Sequence, residues 1–191
     1  MILADLSTAT QGTLTQEYAA IAGLPYCSPE PYPSPAGLSR NIRYARILQY
    51  IYSAGSSELT GIHQYLYHSI VTGQELPALS QALKGIAMVE IHHLHLLGEC
   101  IMQLGLLPTF GYYQGTRRAR WSSGFVQYAR NPKGIVELSI QTEMQAIEHY
   151  RSSAGQISDE QITALLYRII EDEKVHIKIL EELLEISTRP Q

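Results

Sequence analysis

Apolar residues recur at spacings of three and four from Arg40 onward, the period of a helix with one buried face. The first such segment runs to Gly73, a typical residue at the end of a helix, with a weak zone at Gly55-Ser56-Ser57. A second segment begins near Pro77, which is favoured in a first helical turn, and ends at Gly105. Together they predict one hairpin of two long helices.

The second half of the chain repeats this organisation after a long connection. Residues 108–130 are rich in glycine and aromatic residues and exceed what two antiparallel neighbours require. Asn131 then starts a third helix that ends near Gly155, and Ser158 with Gln161 predicts a capping box for a fourth. No convincing strand pattern is present. The sequence therefore predicts an all-α fold, a four-helix bundle of two helix pairs with a long crossover connection.

Residues 1–39 differ from the bundle predicted for residues 40–191, and we interpret them as an N-terminal arm. Residues 13–22 predict one short helix. Five prolines then fall within the eleven residues from Pro25 to Pro35, a density that excludes helix and favours an extended backbone. This segment is either a strap that lies on the body or reaches a neighbouring subunit, or a plain flexible arm.

Composition and charge narrow the class of protein. The chain has 191 residues and a mass of 21.4 kDa, the size of one domain with an arm. Its formal net charge of −4 disfavours a nucleic-acid partner, and no apolar run is long enough to span a membrane. Two cysteines, Cys27 and Cys100, are too few for a disulfide framework. With no signal-peptide pattern at the N-terminus, we expect a cytoplasmic protein.

Four glutamates interrupt the apolar stripes of the predicted helices. They are Glu58, Glu90, Glu143 and Glu173, one on each helix and each in step with its apolar neighbours. An ionised carboxylate in a core costs several kcal/mol unless it is paired or binds a metal. Four of them in one core therefore need a shared explanation, such as a common metal site. The alternative is that these core polar groups are paired with one another by accident.

Two of these glutamates have a histidine three residues later, at His93 and His176. Residues at this spacing lie on one helical face, so each Glu-x-x-His pair presents a carboxylate and an imidazole to the same point. Each pair also follows a single glutamate by 30–32 residues, which makes the pattern an internal repeat. Four carboxylates and two imidazoles suit two iron or two manganese ions, with two glutamates bridging and one glutamate and one histidine left for each ion.

This pattern resembles the ferritin-like superfamily of di-iron and di-manganese carboxylate proteins, and within it the branch of rubrerythrins and manganese catalases. The resemblance covers roughly residues 40–187, and it is carried by the repeat and by segments such as Ser57–Tyr65 and Gly85–His93. In rubrerythrins a tyrosine two turns after each single glutamate bonds near the metals. Tyr65 and Tyr150 stand at the matching positions, seven residues after their glutamates, and the resemblance implies a catalytic role for them.

Two departures from the rubrerythrin pattern bear on the activity. The nearest candidate for the extra glutamate of the third helix is Glu148, which lies about 140° around the helix from Glu143 and is not expected to replace it. No Cys-x-x-Cys pair of a rubredoxin module follows the bundle. Electrons would then come from an external donor, or the overall chemistry would be redox-neutral.

The resemblance implies a protein that reacts with hydrogen peroxide or dioxygen, and we expect a peroxidase or oxidase of the rubrerythrin type. Peroxide disproportionation by a manganese catalase and iron oxidation and storage by a ferritin are the alternatives, and a helical structural protein with a vestigial site is a third. A homodimer is the default assembly because symmetric dimers are the commonest oligomers.

Other chemistry-bearing residues are assigned weaker roles. The basic run from Arg117 to Arg120 beside Trp121 suggests RNA, but the absence of a wider basic patch favours a solvated connection or a subunit contact. The remaining histidines lie off the stripes, and surface or inter-helix hydrogen bonds are expected for His63, His68, His92, His95 and His149.

Overall fold

The structure, a computed structural model, describes residues 26–188, with side chains through residue 184. The helix predicted at 13–22 lies outside the described residues. The elements are α1 (Ile42–Ser53), α2 (Glu58–Thr72), α3 (Pro77–Gln103), β1 (Gly111–Gln114), β2 (Arg117–Arg120), a 3-10 turn (Ser123–Phe125), α4 (Pro132–Ala154) and α5 (Glu160–Thr188). Long helices in two pairs, joined by a long crossover connection, confirm the predicted fold class. None of the described helices is both long and apolar enough to cross a bilayer.

The segment predicted as the first helix is two helices, α1 and α2. The helical path stops at Ala54, and the backbone of Ser57 is extended before α2 begins. The Ser57 hydroxyl accepts a hydrogen bond from the backbone N–H of Thr60 and donates one to the Ala54 carbonyl at 2.6 Å. This break coincides with the weak zone of the apolar pattern, and it places Glu58 at the first position of a helix.

The long connection contains a β-hairpin that the sequence analysis did not predict. Strand β1 pairs antiparallel with β2, from Gly111 opposite Arg120 to Gln114 opposite Arg117. A two-residue turn joins them and begins at Gly115, whose φ of 62° is easily adopted only by glycine. Four residues are too few for an alternating pattern to stand out, which is why the prediction of no strand was wrong here.

Two apolar clusters lie on either side of a polar layer in the bundle. Helix α2 packs chiefly on α3, and α4 on α5. One cluster is centred on fully buried side chains such as Leu48, Leu97 and Leu166, and the other on Leu83 and Leu180. Each such side chain stabilises the fold by about 1.5–3 kcal/mol, which offsets the cost of holding charged groups between the clusters.

The start of α5 differs in detail from the predicted capping box. The Asp159 carboxylate accepts hydrogen bonds from the backbone N–H groups of Gln161 at 3.0 Å and Ile162 at 3.1 Å. Ser158 instead donates its backbone N–H to the Tyr44 hydroxyl at 3.1 Å. The helix is therefore capped one residue later than predicted, because an aspartate carboxylate is as good an N-terminal acceptor as a serine hydroxyl.

The proline-rich segment follows the first of its two predicted alternatives and lies on the body as a strap. We use the term strap for residues 26–38. Leu38 packs into the larger apolar cluster, and the Tyr26 ring covers Gly85 of α3. Arg168 of α5 donates its Nε–H to the Glu30 carbonyl at 2.7 Å and an Nη2–H to the Ser28 carbonyl at 2.7 Å. The division of the chain between residues 39 and 40 stays a prediction.

Candidate metal centre

Four helices bring the six predicted metal ligands together between the two apolar clusters. Each is at most 4% exposed. Helix α2 contributes its first residue, while α3, α4 and α5 contribute residues from their middle turns, where the backbone is fixed by its own hydrogen bonds. The six residues are Glu58, Glu90, His93, Glu143, Glu173 and His176.

The six side chains form two overlapping groups of four, and in each group the potential ligand atoms lie within 4.8 Å of one another. One group contains Glu58 and His93, and the other contains Glu143 and His176. Glu90 and Glu173 belong to both groups. The sequence does not show which two glutamates are shared, whereas the structure identifies them by their position between the two groups.

Both imidazoles turn their Nδ1 atoms toward the carboxylates. The Nδ1 of His93 lies 3.4 Å from Glu90, 3.5 Å from Glu173 and 3.7 Å from Glu58. The Nδ1 of His176 lies 2.9 Å from Glu173, 3.2 Å from Glu90 and 3.6 Å from Glu143. One nitrogen and several carboxylate oxygens thus converge twice within one buried site.

The crowded carboxylates shift the pKa values of the centre. Burial, together with Glu90, raises the pKa of Glu58 well above its usual value, and burial with Glu90 and Glu143 does the same for Glu173. Burial alone would lower the pKa of His93, but Glu173 and other neighbouring carboxylates raise it well above its usual value. Without a bound metal ion, the cluster is therefore stable only when several of its carboxyl and imidazole groups keep their protons.

Several buried atoms of the centre have no hydrogen-bond partner. They include Oε2 of Glu58, Oε1 of Glu90, both carboxylate oxygens of Glu173, and the Nδ1 atoms of both histidines. Buried polar atoms are almost always satisfied, so such a group of them needs an explanation. A pair of divalent cations would supply it, since the orphaned atoms face one another and include hard oxygen donors with imidazole nitrogen. The cluster could therefore hold a dinuclear metal site.

The two predicted tyrosines contact the centre, each across the bundle. Tyr65 of α2 donates its hydroxyl to Glu143 of α4, and Tyr150 of α4 donates its hydroxyl to Glu58 of α2. Burial and the nearby carboxylates raise the pKa of Tyr65 well above its usual value, so its hydroxyl keeps its proton. Each single glutamate is therefore held by a tyrosine from the other helix pair.

Asp172 is a residue of this site that the sequence analysis missed. Its Oδ2 lies 2.9 Å from Nε2 of His93 and accepts from the Tyr32 hydroxyl at 2.5 Å. Its Oδ1 accepts from the Ser28 backbone at 2.7 Å and from Arg168 at 2.6 Å. Burial would raise the pKa of Asp172, but these donors, His93 first, lower it to about 2. An aspartate next to a proposed ligand, with an arginine four residues earlier, is the signal that could have found it.

The remaining candidate residues, to which the sequence analysis assigned no metal-binding role, lie outside the centre. Glu148 is exposed and pairs with Arg151 at 2.8 Å, so it does not replace Glu143. Trp121 follows the basic strand β2 and donates its ring N–H to Thr60 at 2.9 Å. The other five histidines lie outside the two groups of ligand atoms.

A small cavity of about 20 Å³ reaches the carboxylates from the break between α1 and α2. Half-buried Ser56, Thr142 and Ala146 line its outer part, and Glu58 and Glu143 are among the buried residues at its inner part. This volume is close to what a single water molecule needs. Only very small molecules fit beside the centre in this conformation.

Comparisons with known proteins agree with this architecture. A bacterioferritin of Desulfovibrio desulfuricans is 30% identical over 150 residues, which cover 76% of this chain and 78% of the relative. Among solved structures, the manganese catalase KatB from Anabaena PCC7120 is similar with a TM-score of 0.75 at 20% identity, covering 86% of this chain and 82% of that one. A Mycobacterium tuberculosis bacterioferritin gives a TM-score of 0.64 at 24% identity, covering 78% and 88%.

These relatives support the predicted superfamily, although none of them singles out the rubrerythrin branch. The sequence model of the ferritin-like domain matches residues 49–189, which include the break before α2 and the whole of α2 to α5. The chain is therefore a member of the ferritin-like domain family.

Proposed function

We propose that the six residues bind two iron or two manganese ions, and that the protein uses them to react with hydrogen peroxide or dioxygen. The observation that carries this proposal is the pair of overlapping groups with Glu90 and Glu173 in common. In the proposal these two glutamates would be shared by the two ions. Glu58 and His93 complete one subsite, which we call subsite 1, and Glu143 and His176 complete the other, subsite 2.

The donor set and the cavity support a redox role with a very small substrate. Carboxylate oxygen with imidazole suits iron or manganese better than the softer metals that prefer sulfur. When bound, two such ions supply two one-electron steps, which is the number that reduction of hydrogen peroxide to water requires. The cavity of about 20 Å³ beside Glu58 and Glu143 is close to the size of one water molecule, so it favours the smallest substrates over larger ones.

The protein's own groups position this chemistry and hold protons near it. Tyr65 and Tyr150 fix the outer carboxylates by hydrogen bonds, and the Tyr65 hydroxyl holds its proton at Oη because burial raises its pKa. The apolar clusters on both sides exclude bulk water from the centre. We propose that both tyrosines are catalytic residues that orient the glutamates and keep a proton beside the substrate.

Our preferred activity is a peroxidase or oxidase of the rubrerythrin type with an external electron donor. Both cysteines of the chain are buried and neither forms a disulfide, so we assign them no role as an electron relay. A reducing compartment such as the cytoplasm suits this pair of thiols. Manganese-catalase chemistry, which needs no donor, is the alternative at the same site.

Metal analysis of the purified protein tests the centre. We expect two ions per chain in the wild type and a large loss of both in Glu90→Ala, because Glu90 belongs to both groups. His176→Ala should lose the ion of subsite 2. The matched controls are Glu148→Ala and His95→Ala, which make the same chemical changes at partly exposed positions outside the groups. Full metal content in Glu90→Ala and His176→Ala would contradict the proposal.

Peroxide consumption separates the activities. Loss of peroxide only in the presence of a reductant is expected for the peroxidase, whereas rapid loss without any reductant would favour the catalase. The measurement uses protein loaded with iron and protein loaded with manganese, each compared with Glu90→Ala. Equal rates of peroxide consumption in the iron-loaded protein, the manganese-loaded protein and Glu90→Ala would place the activity outside this centre.

Iron oxidation and storage is a second candidate because the bacterioferritin relative is 30% identical over most of both chains. Storage by this chain alone needs a closed cage, whereas our proposal needs only a homo-oligomer such as a dimer. Light scattering with an iron-loading assay distinguishes them. A dimer that holds two irons per chain supports our proposal, and a large hollow particle that holds many irons per chain supports storage.

A further inference from the structure

The two halves of the metal centre differ at the position directly before the glutamate of each Glu-x-x-His pair. Asp172 directly precedes Glu173, and the corresponding residue before Glu90 is Val89. Asp172 accepts a hydrogen bond from Nε2 of His93 at 2.9 Å. Val89 offers no such acceptor, and Nε2 of His176 is buried without a hydrogen-bond partner. The two imidazoles are therefore held differently although the helices that carry them repeat.

The strap makes the polar contacts on the Asp172 side. Its Ser28 N–H and Tyr32 hydroxyl both donate to Asp172. Arg168 donates to the same carboxylate at 2.6 Å and lies over the Tyr32 ring, 4.1 Å from its centre. The Tyr32 ring also packs edge-on against His93. Backbone, hydroxyl and guanidinium groups together hold Asp172 in one orientation.

The same strap makes apolar contacts on the other side. Cys27 packs with Val89, and Tyr26 packs against this pair. The Tyr26 ring also lies so close to Gly85 that a Cβ there would be 2.2 Å from it. Gly85 stands four residues before Val89, as Arg168 stands four residues before Asp172. One strap thus covers equivalent places in the two halves, with a charged anchor in one and an apolar contact in the other.

We propose that the two metal subsites are inequivalent, and that the strap sets the difference by locking His93 through Tyr32, Arg168 and Asp172. The inference rests on the proposed function, since it concerns how the same centre loads. A carboxylate that accepts the Nε2–H of a histidine fixes the tautomer and the orientation of the ring. It also makes the other nitrogen, Nδ1, a stronger metal ligand. Subsite 1 has this support and fills first, and subsite 2 binds its ion more weakly.

Partial metal loading of crystals tests the order of filling. Metal-free crystals are soaked with less than one equivalent of Mn²⁺ and the anomalous scattering of each subsite is measured. We expect the signal at Glu58 and His93 to exceed the signal at Glu143 and His176. Equal signals, or a stronger signal in subsite 2, would overturn the inference. No signal in any subsite, even in excess Mn²⁺ and Fe²⁺, would instead overturn the proposed function.

Variants of the lock test its cause. Tyr32→Phe removes one hydroxyl donor and keeps the ring that packs against His93 and Arg168, so we expect the strap to keep its fold. We expect its loading difference between subsites to shrink. Asp172→Asn changes the acceptor of the His93 proton itself and should weaken subsite 1 by about 10–100-fold, the usual effect of losing such a partner.

Tyr44→Phe is the matched control for Tyr32→Phe, because the Tyr44 hydroxyl bonds to Ser158 and is not part of the lock. It should keep the wild-type order of loading. An unchanged order in both Tyr32→Phe and Asp172→Asn would show that the strap does not set the difference. A general loss of stability would lower both signals together, whereas the inference requires a change in their ratio.

Discussion

Tyr150 donates a hydrogen bond from its hydroxyl to Oε1 of Glu58, a residue that lies 92 positions earlier on another helix pair. Tyr65 makes the reciprocal bond to Glu143. These two contacts join α2 and α4 directly across the centre, beside the contacts of His93 and His176 that join α3 and α5. They also fix the outer carboxylates, which are the glutamates that each helix pair contributes singly.

Removing either hydroxyl should weaken the metal-free protein. We expect Tyr65→Phe and Tyr150→Phe each to lower the free energy of unfolding by about 1–3 kcal/mol, because a buried carboxylate oxygen loses its donor. Chemical denaturation measures the effect. Tyr128→Phe is the control, since Tyr128 is 57% exposed and its hydroxyl donates only to the Ser123 carbonyl at the surface, and it should change stability by less than about 0.5 kcal/mol. Equal effects in all three variants would argue against a special role of the cross-bundle bonds.

Neutralising a shared glutamate should have the opposite effect on stability. Burial, Glu90 and Glu143 raise the pKa of Glu173, so its charged form is unfavourable in the metal-free protein. We expect Glu173→Gln to stabilise the metal-free protein by about 1 kcal/mol or more while it loses metal affinity. Thermal melts and metal analysis give the two values.

Glu148→Gln is the control for that substitution, because Glu148 is exposed and paired only at the surface. It should leave both stability and metal content near the wild-type values. A Glu173→Gln protein that is less stable and retains both metals would show that Glu173 is a structural residue.

The pH dependence of stability should change with metal. The folded-state pKa values of His93 and His176 lie well above 6.5, so their stabilisation is complete below pH 6.5 and is lost as the pH rises through those values. Glu58 and Glu173, whose pKa values are raised above 4.5, add to this loss as the pH rises. The pKa of Asp172 is lowered from 3.8 to about 2, so its contribution to the stability of the fold is lost only as the pH falls through that range.

The metal-free protein should therefore melt at a lower temperature at about pH 8 than at about pH 6. Metal binding should strengthen over the same interval, because ligands must lose their protons to bind an ion. Thermal melts with and without Mn²⁺ measure both trends. A metal-free protein whose melting temperature rises between these pH values would contradict the assigned shifts.

Narrowing the cavity should slow the reaction without removing metal. Ala146 lines the outer part of the cavity next to Thr142 and Glu143. We expect Ala146→Leu to bind the same number of ions and to consume peroxide several-fold more slowly, because its larger side chain fills the path to the carboxylates. Ala146→Ser, which is nearly the same size as the wild type, should retain the rate. Unchanged turnover in Ala146→Leu would mean that substrate enters elsewhere.

Two helical glycines should respond differently to alanine. At Gly61 a new Cβ would meet only the Tyr65 ring at 3.9 Å, so Gly61→Ala should gain up to about 1 kcal/mol of helix propensity. At Gly85 the Cβ would lie 2.2 Å from the Tyr26 ring, so the ring must leave its place. We expect Gly85→Ala to gain no stability and to speed hydrogen exchange of the strap. A gain equal to that of Gly61→Ala would show that the strap packs loosely.

The fold was largely predictable because its signals are local. Apolar spacing gives a helical period, and the helix starts at Pro77 and at Asn131 and Pro132 follow from proline geometry and side-chain capping. The weak zone at Gly55-Ser56-Ser57 marked the place where the first predicted helix divides. The hairpin of β1 and β2 was not predictable in this way, since its pairing depends on register between two very short segments.

The candidate ligands were visible for the same reason. A carboxylate on an apolar stripe is anomalous within a single helix, and an imidazole three residues later shares its face without any knowledge of the fold. Asp172 gave only the weaker signal of an arginine four residues earlier, because its other partners Ser28, Tyr32 and His93 come from distant parts of the chain.

The sequence by itself determined the four-helix-bundle class, the internal repeat and the set of six residues that interrupt the apolar stripes. These features depend on helical period and on the cost of burying a charge, both of which act within one helix. Only the tertiary structure decided that Glu90 and Glu173 are the shared glutamates, that each tyrosine reaches the opposite pair, and that Asp172 supports one histidine alone. These relations depend on distances between helices, which follow from how the apolar faces pack and not from the spacing along any one of them.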